Sequence, residues 1–247
     1  MLRCAQHDMT RHVPRFSIPS VMHTPAGALT GPMAQEVQRM SIAEKQRALR
    51  AIWRDKMHVE ARALDLSPPV VRNAFEHIWE PAQLLMKDLE DLPSGILRTW
   101  RDSQRGHLVF THRPSLYCPG PQLWRQATIE SVCYLSVGDL AQDKRRAMLK
   151  LFNLLDHLLG SEARVGEPWL SDGGGVSEAL REIGTRFVRI HALGYGSPDL
   201  GASTAHDYFA DTLWLYLHDP HRLNVIDPLV FKLYRHTLMQ EGFWPRD

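Results

Sequence analysis

The chemistry available to this chain rests on a few side chains near the ends of its apolar stretches. His157, His191, His206 and Asp207 fall close to expected helix ends, with Asp211 one turn beyond Asp207. Imidazole and carboxylate are common zinc ligands, and imidazole also carries protons near neutral pH. Two histidines on one helix reach the same ion when they stand at i and i+4. No histidine pair here has that spacing. His7/His12 and His107/His112 are one residue too far apart, and the second pair falls on opposite faces of an expected strand. The four grouped residues also read as ordinary helix-end side chains, steadied by the helix dipole or by solvent. His77 and Glu80 read as a surface or core pair. Cys118 and Cys133 have no local partner base, and Cys133 reads as a small buried hydrophobe within a strand. The triplet Gly173-Gly174-Gly175 could cradle a phosphate. It lacks the preceding strand and the following Lys-Ser/Thr of a phosphate loop, so it reads as a flexible connector.

The elements that must position these groups follow from periodicity. Residues 1–33 mix Pro, His, Ser, Thr and Gly without a period and read as an irregular arm. Residues 34–104 read as helical. Ser41-Ile42-Ala43-Glu44 has the capping-box pattern, and Leu49, Ile52, Trp53, Met57 and Ala61 share one helical face. Arg39, Arg47, Arg50, Arg54 and Lys56 give that region a basic surface. Pro68-Pro69 starts a second helix, which Pro81 kinks or ends. Residues 107–112 alternate as a strand, Pro114 and Cys118–Pro121 mark a long turn, and 125–137 reads as a second strand. A helix over 140–160 follows, with Asp139 as N-cap, a wide leucine stripe and Gly160 as its stop. Further helices are expected at 177–191, 205–218 and 227–241, with a break at Asp219-Pro220. Strands followed by long helices predict an α+β domain over 105–247, preceded by the helical region.

Bulk properties bound the function. The chain has 247 residues, with 29 Lys+Arg against 28 Asp+Glu, so bulk charge offers no attraction to nucleic acid. No apolar run is long enough to span a bilayer, which argues against membrane insertion. An odd set of cysteines, Cys4, Cys118 and Cys133, points to a reducing compartment. The first residues lack a hydrophobic signal core, which predicts a cytoplasmic protein; a specialised secretion route leaves no such mark.

Residues 105–240 resemble the anthrax-toxin lethal-factor-like zincin metallopeptidases and their Pro-Pro endopeptidase relatives. Three blocks carry the resemblance: Leu149–Asn153 running into Leu154-Leu155-Asp156-His157-Leu158-Leu159-Gly160; Tyr195-Gly196; and Asp207-Tyr208-Phe209-Ala210-Asp211 with Leu215-Tyr216-Leu217 and Asp219-Pro220. The resemblance implies a zincin-like fold and places two zinc ligands at Leu149 and Asn153. It places the general base at Lys150, the last ligand at Asp207, its supporting carboxylate at Asp211 and an oxyanion-steadying phenol at Tyr195. Leu cannot coordinate, Asn is a poor zinc ligand, and a Lys cation repels the ion it should assist. The expected function is therefore that of a pseudo-peptidase without zinc. It would bind a protein or peptide through Tyr195, Asp207 and Asp211, in a cleft between the 125–137 strand and the two helices. Two alternatives stand beside it: a metallopeptidase with a relocated zinc site among Asp207, His206, His157 and His191, and a scaffold working through residues 34–104.

Overall fold

The computed structural model describes residues 32–194 and 204–245, with side chains from residue 42 onward. A small mixed sheet carries the fold. Its strands are β1 (Met57–Val59), β2 (His107–Thr111), β3 (Leu116–Trp124) and β4 (Ala127–Ser136), in the order β1-β2-β4-β3. β1, β2 and β4 run parallel, and β3 pairs antiparallel to β4 as an edge strand. The architecture is α+β, as the sequence predicts.

Two strands depart from expectation. β1 follows directly on helix α1 (Pro32–Lys56), and its three residues pair with Leu108–Phe110. The stretch read as a long turn around Cys118–Pro121 is part of β3, and its ladder shifts register between Cys118 and Pro121. Proline has no N–H to donate, so an edge strand with a bulge is where it is tolerated. Ser131 stabilises the bulge, its hydroxyl lying 3.0 Å from Pro119 O and 2.7 Å from Ala163 O.

The first third packs on the same core as the rest. One apolar cluster runs from Ala48 and Ile52 through Trp100, Phe110 and Leu135 to Leu158, Phe209 and Trp244. Ser41 lies inside α1 and starts no helix; Glu44 there binds Arg98 at 3.0 Å. Lys56 is not part of a basic surface. It is buried, donates to Ser103 O and Arg105 O, and burial lowers its ammonium pKa to about 8. Helix α2 (Pro69–Ala74) ends at Phe75, and Pro81 opens helix α3 (Glu80–Leu89) in the position that suits its missing N–H. Helix α4 (Ser94–Asp102) is capped from far along the chain: Ser94 N and Oγ donate to the Glu241 carboxylate, Oγ at 2.6 Å. Gly95 lies under the Trp244 indole, where a Cβ would come within 2.1 Å of the ring.

The expected 140–160 helix is two helices, α5 (Val137–Gln142) and α6 (Lys144–Ser161), joined at Asp143. Ser136, not Asp139, caps α5, accepting from Asp139 N; the Asp139 carboxylate accepts from Ser115 N and Oγ. α6 is the central element, with residues 151–160 all buried. Gly160 does not stop it. The chain turns out through Glu162 and Ala163, both at left-handed φ, with their N–H groups returned to Leu158 O and His157 O. Helix α7 (Glu178–Ala192) follows a loop, then come α8 (Ala205–His218), α9 (Pro220–Ile226) and α10 (Pro228–His236). Thr204, Asp219 and Asp227 cap the last three through their side-chain oxygens.

The glycine triplet is not a flexible connector. Gly174 and Gly175 are buried, and a Cβ on either would meet main-chain atoms at 2.4 and 2.1 Å. Gly184 on α7 rests on the carbonyls of Gly174 and Leu170 in the same manner. The triplet lets two backbones approach where any side chain would hold them apart.

Candidate functional site at the α6–α8 crossing

α6 and α8 pack against each other, and α6 also lies along β4 and β3. The residues singled out at this crossing fall into two groups. The first is charged. Arg145 on α6 donates to the buried Asp211 carboxylate at 2.6 Å. Burial raises the Asp211 pKa against the pull of Arg145, and Asp207 adds to the rise. Lys150 is a half-buried residue of α6 whose charge acts on both Asp211 of α8 and the Cys133 thiol of β4. Asp207 pairs with the Thr204 cap, Thr204 Oγ1 donating to its carboxylate at 2.9 Å. Leu149 packs against the apolar core.

Asn153 is 8 % exposed, and its Oδ1 is buried without a hydrogen-bond partner. An unsatisfied buried acceptor costs about 1–3 kcal/mol. Asn153→Leu therefore raises stability by about 1–2 kcal/mol in urea unfolding. A loss of stability in that variant would mean that the amide holds the core together.

The second group surrounds Trp169. His157 stacks on its indole with centroids 4.7 Å apart, and His206 lies against it at 3.9 Å. Both His157 nitrogens are engaged: Tyr117 OH meets Nδ1 at 2.7 Å, and Nε2 meets Arg164 O at 2.8 Å. Burial lowers the His157 pKa, so the ring is neutral, with Nε2–H donating to the carbonyl and Nδ1 accepting from the phenol. His206 Nδ1 is 2.9 Å from Ser171 Oγ and 3.4 Å from the fully buried Asp156 carboxylate, and its Nε2 is 3.5 Å from Asp172. Burial raises the Asp156 pKa, although Ser171 and His206 pull it back. For His206 burial alone would lower the pKa, but Asp156, Asp172 and Asp207 together raise it.

The expected site residues are therefore only partly gathered. Asp207, Asp211 and Lys150 share the crossing, whereas His157 and His206 meet at Trp169. His191 instead lies against the Tyr208 ring, 5.0 Å between centroids. Tyr195 lies outside the described residues.

The donor set does not fit zinc. Leu149 offers carbon, Lys150 a cation, and Asp211 is held by Arg145. Among the described residues no group of three or more His, Cys, Asp or Glu side chains is disposed to hold a metal ion.

Comparison with protein-family models, with curated proteins and with solved structures finds no match.

The sequence alone does not mark Arg145, Asp156, Trp169, Ser171 or Asp172 as site residues. Asp156 carries a usable signal, a carboxylate amid the leucines of a buried stripe, which demands a partner. The others carry none, because their partners lie on different elements.

Proposed function

We propose that this chain is a zincin-like, catalytically silent protein that works by holding an extended protein segment. The observation that carries the reading is the charge at the crossing. Where the resemblance calls for two metal ligands and a carboxylate base, the chain has Leu149, Asn153 and the cation Lys150, beside the Arg145–Asp211 ion pair. Such a set repels a divalent cation and cannot deprotonate water. α6 packs on α8 and on the sheet, as the resemblance calls for.

The binding edge differs from the one expected. β4 lies between β2 and β3 over Val132–Tyr134, which closes that stretch to strand addition. β3 is the edge strand beside α6, and it exposes Leu116 and Leu123, the latter 77 % accessible. An extended segment added to β3 gains main-chain hydrogen bonds, and apolar side chains on it cover these leucines. No described helix is long and apolar enough to cross a membrane.

The test uses full-length protein, elemental analysis for zinc, and a panel of N-acetylated, C-amidated peptides. The expected result is no stoichiometric zinc, no cleavage, and peptide binding that weakens about tenfold or more in Leu123→Lys. Peptide hydrolysis abolished by a chelator would overturn the reading, and so would a panel in which nothing binds.

A further inference from the structure

The end of α6 and the start of α7 line a cavity of about 350 Å³. Much of its wall is main chain. A Cβ on Gly160 would lie 2.4 Å from Leu170 N, one on Gly174 2.4 Å from Pro168 O, and one on Gly175 2.1 Å from Arg181 N. Main chain packed this closely does not rotate aside, so the space is preformed.

Four charged side chains line it: Glu162, Arg164, Glu167 and Arg181. Arg164 pairs with Glu162 at 2.8 Å. Glu167 and Arg181 have no ion-pair partner among the described residues. The N–H groups of Gly173, Gly174 and Val176 return to Leu170 O, Trp169 O and Leu159 O. Gly175 is buried among them, and its N–H has no acceptor among the described residues. The two helices add fields of opposite sign. α6 brings its C-terminal end, where the dipole is negative, and α7 brings its N-terminal end, where it is positive and where Arg181 stands.

We propose that this cavity binds a free α-amino acid or a dipeptide as its zwitterion. Arg181 and Gly175 N–H take the carboxylate, Glu167 takes the ammonium, and Pro168 and Val176 cover an apolar side chain. The charge of the lining selects this class. A phosphate dianion meets Glu162 and Glu167, a divalent cation meets Arg164 and Arg181, and a ligand carrying both signs meets a partner for each. The volume stands near the lower end of small-ligand pockets, about 300–1,000 Å³, which suits a molecule of amino-acid size. The site makes no use of β3 and does not rest on the peptide-holding reading.

Isothermal titration calorimetry of the full chain tests this. The probes are the protein-forming L-amino acids, glycyl-leucine, leucyl-glycine and inorganic phosphate. The expected result is one site per chain for an amino acid or a dipeptide, and the tighter of the two classes names the source. Masking the carboxylate of that ligand as an amide, or its amine as an N-acetyl group, weakens binding about tenfold or more. Arg181→Gln and Glu167→Gln each weaken it by a similar factor. Both side chains are exposed, so the variants keep the wild-type melting temperature. Arg186→Gln, exposed on α7 outside the cavity, binds as wild type does. No binding of any amino acid or dipeptide overturns the proposal. So does binding that survives Arg181→Gln or either mask, and so does a site that takes phosphate alone.

Discussion

Asp227→Ala lowers the unfolding free energy by about 3–5 kcal/mol in urea denaturation. The side chain is wholly buried and joins three helices. One oxygen accepts from Leu229 N and Val230 N at 2.9 Å each, capping α10, and the other accepts from the Tyr208 hydroxyl of α8. α9 ends on the same residue, since Asp227 N donates to Leu223 O at 2.8 Å. Removing the carboxylate strands Val230 N and the Tyr208 phenol in a buried corner and Leu229 N in a partly buried one, and each stranded donor carries its own desolvation cost. Tyr208→Phe removes only one of these bonds and loses about 1–2 kcal/mol. A loss below about 1 kcal/mol in Asp227→Ala would show that water replaces the carboxylate and that this corner is not sealed.

Gly160→Ala costs about 2–4 kcal/mol, although alanine is the better helix former. A Cβ at residue 160 would lie 2.4 Å from Leu170 N and from Trp169 C. Main chain cannot rotate away as a side chain can, so α6 and the turn must separate. That displaces the indole on which His157 and His206 rest. Gly242→Ala is the control: nothing lies within 4 Å of its added Cβ, and the change stays within about 0.5 kcal/mol. Equal melting temperatures for the two variants would refute the close approach.

Local signals were legible and distant ones were not. α8 was readable to the residue, because Asp219-Pro220 ends it and its apolar face is continuous. The α6 stripe was equally plain, but its separation from α5 at Asp143 was not, since neither Gly nor Pro marks the break. β1 is three residues running straight out of a helix, and it is a strand only because β2 offers it a partner about fifty residues later. Pro-Gly-Pro suggested a turn, and the edge of the sheet allowed a strand instead. At the site, the unsuitability of Leu149, Lys150 and Asn153 for zinc was visible from side-chain chemistry alone. The Asp156–Ser171–His206 network was not, because its members stand 15 and 50 residues apart and meet only when α6, the turn and α8 have packed.

The clasp of Glu241 and Trp244 over α4 makes the order of synthesis differ from the order of completion. α4 leaves the ribosome early, yet the carboxylate that caps its first turn arrives 147 residues later. Until then Ser94 N is left to solvent and Gly95 is uncovered, so the amino-terminal third waits, partly built, for the far end to close over it.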